Sequence, residues 1–177
     1  MDDLATYIID LTQNAIRAHA KHIQLTMHET DDLLSFMLTD DGCGMDEMTL
    51  KKASSPYFTT RTTRKVGLGL SMIDMVAKQT DGSFMLESKP QEGTTLSVSF
   101  HHQHIDMPPL GNLGEMVMMI AIHQDVQDFT FIYQKKNQSY KFSLHEMKNM
   151  FGSTLHTYSV MDAMIHYINQ EITKVRG

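Results

Sequence analysis

The sequence predicts an α+β fold, and three observations carry that prediction. Apolar residues recur at helical spacing in some segments and alternate with polar ones in others. These segments follow one another as αββ, a loop, αββ, and then αββαα. The strand-like segments come in pairs joined by short polar turns, as in antiparallel hairpins. With 177 residues, 41% apolar and 20% charged, the chain is globular, and it suits one domain of ordinary size or one domain with a small appendage.

Each element has its own signal. Residues 3–19 form a predicted helix, because Leu4, Tyr7, Ile8, Leu11, Ala15 and Ala18 share one face. "HIQLTM" (22–27) and "LLSFMLT" (33–39) alternate as strands around the polar "HETDD". Residues 46–53 suit a short helix. "SSPYFTTRTTRK" (54–65) is rich in hydroxyls and cations and poor in core residues, so it reads as a mobile loop. "LGLSMIDMVAKQT" (68–80) has helical period, with Gly82 beyond it as a stop signal. "SFMLES" and "TTLSVSF" are strands around the turn "KPQEG". The prolines and glycine of "HHQHIDMPPLG" then break the regularity and separate a first unit, 1–102, from a small C-terminal α/β module, 103–177. Within that module follow a helix over 113–123, a hairpin ("FTFIYQ", turn "KKNQ", "SYKFSL") and two helices. A segment of this size is marginal for folding alone, so it is expected to pack on the first unit.

The bulk properties exclude several function classes. A net charge of −6 argues against whole-surface attraction to nucleic acid or anionic lipid. No apolar run approaches the roughly 18 residues that span a bilayer. The N-terminal "MDDLATYIID" is acidic and lacks a basic signal-peptide head, which places the protein in the cytoplasm. One cysteine, Cys43, permits no intrachain disulfide, and it is expected to be buried in its turn. Sixteen methionines and no tryptophan point to methionine as core filler, with a Met-rich partner groove as the lesser reading. His101, His102 and His104 have no cysteine or Glu-x-x-His companion and suit a solvated linker better than a zinc site.

The chemistry concentrates in four places. In "FMLTDDGCGM" (36–45), a strand ends in two carboxylates and a spaced glycine pair, Gly42 and Gly44. An ionised carboxylate only accepts hydrogen bonds, so Asp40 suits a ligand that presents an amino group, such as adenine. The glycines let the chain turn and lie against a flat ring. A plain turn is the alternative; the order of acids does not match a calcium loop. On the first helix, Asp10, Asn14 and Arg17 fall at i, i+4 and i+7, within roughly 60° of one another on the flank of the apolar stripe. Asn14 has the hard oxygen that Mg²⁺ takes, Arg17 suits a phosphate, and Asp10 is placed to orient or deprotonate an attacking group. An ordinary polar helix edge would look the same. In "KVGLGLSM", Gly67 and Gly69 precede a helix whose free N–H groups suit an anion, with Arg61, Arg64 and Lys65 close in sequence. Thr94 opens the last strand of the first unit, where its hydroxyl would fix a water between Asp40 and the base, or simply serve a turn.

Residues 1 to about 102 resemble the GHKL, or Bergerat-fold, ATPase domain shared by gyrase, the mismatch-repair ATPases, the ATP-dependent heat-shock chaperone, histidine kinases and anti-sigma-factor kinases. "DLTQNAIRA" resembles the N box, "DDGCGM" the first glycine box, "PYFTTR" the lid motif, "GLGLSM" the second glycine box and "GTT" the last. The resemblance implies a two-layer α/β sandwich with a mixed, mostly antiparallel sheet, and Mg-ATP bound between helices under a lid. It assigns magnesium to Asn14, adenine to Asp40 with Thr94 through water, and the first glycine pair to Gly42 and Gly44, beside Met45. It gives the phosphates to Gly67, Leu68, Gly69, Leu70 and Arg17, and the lid to Phe58, Arg61, Arg64 and Lys65. Asp10 stands where hydrolysing members and anti-sigma kinases carry a glutamate base, one methylene longer. The chain starts at the N-box helix, without the preceding helical hairpin that bears the phosphorylatable histidine, and is similar to short stand-alone bacterial proteins of this kind.

Three functions compete. The chain hydrolyses ATP or transfers its phosphoryl group to a separate protein partner. Alternatively, ATP closes the lid and the closed form recruits a partner through the C-terminal module, with little chemistry. Least favoured is self-phosphorylation at His145, whose "SLHEMKNM" loosely resembles a kinase acceptor sequence. ATP or ADP and a protein partner are the expected ligands, with homodimerisation open.

Overall fold

The computed structural model describes residues 3–53 and 68–177. In chain order the elements are α1 (Leu4–Arg17), β1 (His22–Glu29), β2 (Leu33–Asp40), α2 (Glu47–Ala53), α3 (Leu68–Gln79), β3 (Ser83–Lys89), β4 (Gly93–His101), α4 (Leu113–Ala121), β5 (Asp128–Lys135), β6 (Gln138–Ser143), α5 (Leu144–Phe151), a 3₁₀ turn (Gly152–His156) and α6 (Tyr158–Arg176).

The six strands form one sheet in the order β3-β4-β2-β1-β5-β6. Every neighbouring pair is antiparallel except β1 and β5, which run parallel. The fold is therefore α+β with a mixed, mostly antiparallel sheet. Side chains alternate across a sheet. Ile23, Leu25 and Met27 of β1, Leu34, Phe36 and Leu38 of β2, Leu96, Val98 and Phe100 of β4, and Phe129, Phe131 and Tyr133 of β5 all turn to one buried face. They share a single apolar cluster with Leu4, Ile8 and Leu11 of α1, Ile73 of α3, Met116 and Val117 of α4, and Ile168 and Ile172 of α6. Thr26, Ser35, Ser97 and Thr130, on the opposite parity, are half-buried.

The C-terminal segment completes this layer. The backbone N–H groups of Leu4 and Ala5, in the first turn of α1, donate to the carbonyls of Pro109 and Leu110, two of the partners that a helix start otherwise lacks. Asp3 caps the same helix by accepting from the Thr6 N–H at 2.8 Å. At the far end of β1, Glu29 is only 2% exposed. It accepts from the Tyr133 hydroxyl and from Arg176 Nε at 2.9 Å, and it lies 3.1 Å from both Lys135 Nζ and His102 Nε2. Burial opposes ionisation of Glu29, but the hydrogen bonds from Tyr133, Lys135 and Arg176, with the Arg176 charge, outweigh it and hold the carboxyl at about 2. One acid thus joins β1, the segment after β4, β5 and α6.

Two expectations from the sequence do not hold, and a third holds in part. His102 is a half-buried partner of Glu29 rather than a solvated linker residue, although no group of three or more potential metal ligands occurs among the described residues. Cys43 is exposed, because the turn points its side chain outward. Methionine fills the core only in part. Met27, Met116, Met118 and Met164 are buried, whereas Met37, Met48, Met75, Met85, Met119 and Met150 are exposed.

Candidate functional site

Asp40, Gly42, Gly44 and Thr94 lie together at one end of the sheet, where β2 finishes and β4 begins. Asp40 is the last residue of β2, flanked in register by Ile23 on β1 and Thr94 on β4. It has the parity of Leu38 and Phe36, so its carboxylate points into the layer between sheet and helices and is 9% exposed. Asp40 Oδ1 accepts the Gly42 N–H at 2.8 Å. Burial pushes the Asp40 carboxyl above its usual value; the Gly42 and Thr94 backbones offset part of that, and the neighbouring Asp41 adds to it. The result is an inward-facing acceptor with one oxygen already oriented by the backbone.

Asp41 faces the other way. Its Oδ1 accepts the N–H groups of Lys21 (2.7 Å) and His22 (2.8 Å), and its Oδ2 lies 2.6 Å from His22 Nδ1. It ties the loop to the start of β1. Sequence reasoning placed the two acids together without separating these roles, which opposite strand parity would have done.

The glycines of the loop and the following hairpin are pressed closely on neighbouring backbone. A Cβ on Gly42 would lie 2.9 Å from the Ala18 Cβ and carbonyl oxygen, so the loop lies against the end of α1, and the Cys43 N–H donates to the Ala18 carbonyl. Gly44 has φ +64°, and a Cβ there would meet the Lys89 carbonyl oxygen at 1.9 Å. Gly93, at φ +87°, is pressed in the same way on the Asp40 carbonyl oxygen. The Met45 N–H donates to Ser88 Oγ at 2.9 Å, which also approaches Thr94 Oγ1 at 3.0 Å.

The edge of α1 supplies the second wall. Arg17 Nη1 donates to Asn14 Oδ1 at 3.3 Å, and Asn14 Nδ2 is buried without a partner among the described residues. A Cβ added to Gly69 would lie 2.1 Å from Asp10 Oδ2, so the Asp10 carboxylate abuts the first turn of α3. Leu70, one residue further along that helix, is buried in the core. Asp10 is thus brought against the second glycine box from 59 positions away in sequence. Leu68 begins α3; Phe58, Arg61, Arg64, Lys65 and Gly67 lie outside the described residues.

A family model described as histidine kinase-, DNA gyrase B-, and HSP90-like ATPase matches residues 1–104. The chain belongs to this ATPase family. Three bacterial relatives are similar to part of this family member. The sensor protein kinase FleS of Pseudomonas aeruginosa is 38% identical over 95 residues, covering 52% of the chain. The sensor histidine kinase ZraS of Escherichia coli is 30% identical over 99 residues, covering 55%. Sporulation kinase E of Bacillus subtilis is 31% identical over 117 residues, covering 64%. The chain spans 23%, 21% and 15% of these three relatives, respectively. Among solved structures, the N-terminal domain of a DNA repair protein superposes with a TM-score of 0.56 at 15% identity, covering 88% of the chain and 58% of that structure. That likeness concerns the fold, and it reaches past residue 104 into the C-terminal elements. No helix of the described residues is long and apolar enough to cross a membrane.

Proposed function

We propose that this chain binds Mg-ATP between α1, the first glycine loop and the start of α3, and transfers the terminal phosphoryl group to a separate protein or to water. What supports this reading is that Asp40 is paired with Thr94, Gly42 is packed on the end of α1 and Asp10 is set against the start of α3, all within the residues that the family model matches. Asp40 supplies an acceptor for an exocyclic amino group. The first turn of α3 supplies backbone N–H groups suited to an anion. The α1 edge supplies Asn14, Arg17 and Asp10 between them.

Magnesium suits this edge. Asn14 offers an amide oxygen, which takes Arg17 Nη1 at 3.3 Å, while its buried Nδ2, a donor without a partner among the described residues, suits a phosphate oxygen rather than the ion. Bound there with the phosphates, the ion would neutralise their charge. Arg17 would face a phosphate oxygen. Asp10, held against Gly69, would accept the proton of the attacking group as its oxygen or nitrogen bonds to the terminal phosphorus and the bond to the ADP oxygen breaks. Leu68, Gly69 and Leu70, with Gly67, Phe58, Arg61, Arg64 and Lys65 from outside the described residues, complete the phosphate and lid assignment in this proposal. We assign the C-terminal residues 103–177 a second role, docking the protein partner, and place the work in the cytoplasm.

The shorter Asp10 favours a second reading in which ATP gates partner binding with little chemistry. One experiment separates the two. Calorimetry with ATP, ADP and GTP, with and without magnesium, is expected to show adenine preference that Asp40→Ala abolishes. Phosphate release or partner phosphorylation is expected to fall in Asp10→Asn while ATP binding survives. Undiminished ATP binding by folded Asp40→Ala would overturn the site; full turnover by Asp10→Asn would overturn the role of Asp10.

A further inference from the structure

We infer that Ser88 is the positioning residue of the adenine pocket, fixing the Thr94 hydroxyl and the end of the first glycine loop at once; this rests on the nucleotide site proposed above. Ser88 lies on β3, one strand further out than Thr94, and the two are paired in register. Its hydroxyl has three close neighbours. The Met45 N–H donates to it at 2.9 Å, the Gly93 carbonyl oxygen lies at 2.8 Å, and Thr94 Oγ1 lies at 3.0 Å.

A serine hydroxyl has one proton and two lone pairs, and these neighbours use all three. The Met45 N–H takes one lone pair. The Gly93 carbonyl can only accept, so the Ser88 proton goes there. Thr94 must then donate its own proton to the remaining lone pair. The hydroxyl of Thr94 is thereby fixed in rotation, its proton turned toward β3 and its lone pairs left for the cleft. The residue that flanks Asp40 in register thus presents an acceptor next to an acceptor. A bound purine can satisfy both, its amino group donating to Asp40 and a bridging water donating one proton to Thr94 and the other to the ring nitrogen.

The same serine holds the glycine loop. Met45 is the only residue of that loop whose N–H is anchored by a side chain of the β3–β4 hairpin among the described residues, and the Gln91 N–H to Cys43 carbonyl bond at 2.8 Å fastens the loop to the same turn. Close contact between Gly44 and the Lys89 carbonyl leaves no slack. Without the Ser88 hydroxyl, Met45 loses its acceptor, Gly93 its donor, and Thr94 is free to turn its proton into the cleft.

Calorimetric titration of the full chain with Mg-ATP tests this in wild type, Ser88→Ala, Ser88→Thr, Thr94→Val and the Ser88→Ala/Thr94→Val double variant, with thermal melting without nucleotide as a check of folding. Ser88→Ala is expected to weaken ATP binding about tenfold, the scale of one well-made hydrogen-bond network. Ser88→Thr, which keeps a hydroxyl, is expected to bind within about threefold of wild type. In the Thr94→Val background, the further loss from Ser88→Ala is expected to shrink to about threefold, because the serine acts largely through the threonine. Losses that multiply independently, or a folded Ser88→Ala that binds as wild type does, would overturn the inference while leaving the nucleotide site standing. A wild type that does not bind ATP would overturn both.

Discussion

Replacing Glu29 by glutamine tests how the C-terminal segment is held to the ATPase-family body. The substitution keeps the shape and one acceptor oxygen but removes the charge that faces Lys135 and Arg176. The Glu29 carboxyl is held at about 2 against an ordinary 4.5. At about 1.36 kcal/mol per pH unit, that difference corresponds to about 3 kcal/mol of folding stability at neutral pH. Loss of one partner from a buried ion pair falls in the same range, about 3–5 kcal/mol, because the remaining charges stay desolvated. The sign follows from the depressed value. The contribution is present above the unfolded-state value of 4.5, and it is lost as pH falls through the folded-state value of about 2, below which folded and unfolded chains both carry the proton. Urea denaturation of wild type and Glu29→Gln at several pH values reads this directly. At pH 7 the variant is expected to be less stable by about 3 kcal/mol. By pH 3 the gap is expected to fall to less than roughly half of that, whatever the other carboxylates do, because they titrate in both proteins. Equal stability at pH 7, or a gap that stays constant on acidification, would refute the account of Glu29 as the charged joint between β1, β5 and α6.

Other sites give independent tests. ATP affinity is expected to fall on acidification at a higher pH than an ordinary aspartate would cause, because burial raises the Asp40 value and the protonated acid no longer presents only acceptors; a titration series from pH 7 downward checks this, and Asp40→Asn is expected to remove the dependence. Gly44→Ala combines a left-handed φ with a backbone overlap at Lys89, and a loss of about 2–4 kcal/mol in urea denaturation is expected. Asn169→Ala removes the acceptor of the Gly114 N–H and the donor to Asn112 Oδ1, both at 2.8 Å, so a loss of about 1–2 kcal/mol is expected in the same assay.

What is legible in the sequence, and what is hidden, divides along one physical line. Local periodicity and capping belong to single segments, so the helices, the hairpins and the polar edge of α1 are readable from spacing alone. Pairings between distant segments are not, because a strand's pattern records which face is buried and not which strand lies beside it. Asp10 against Gly69 and Ser88 beside Thr94 and Met45 depend on such neighbours. The joint at Glu29 shows how part of the hidden information can be recovered. Glu29 continues the inward parity of Ile23, Leu25 and Met27, and Lys135 continues that of Phe129, Phe131 and Tyr133. Taken simply as hydrophilic residues, both fall into the polar turns that follow their strands. Taken by parity, each is a charge directed into a buried layer, a costly placement unless an opposite charge meets it there. The parallel register supplies that match, pairing Glu29 with Lys135 directly. An acid at the inward end of one strand and a base at the inward end of another are therefore evidence that the two strands are neighbours, and in this chain that evidence, which lies wholly in the order of the amino acids, joins the C-terminal hairpin to β1.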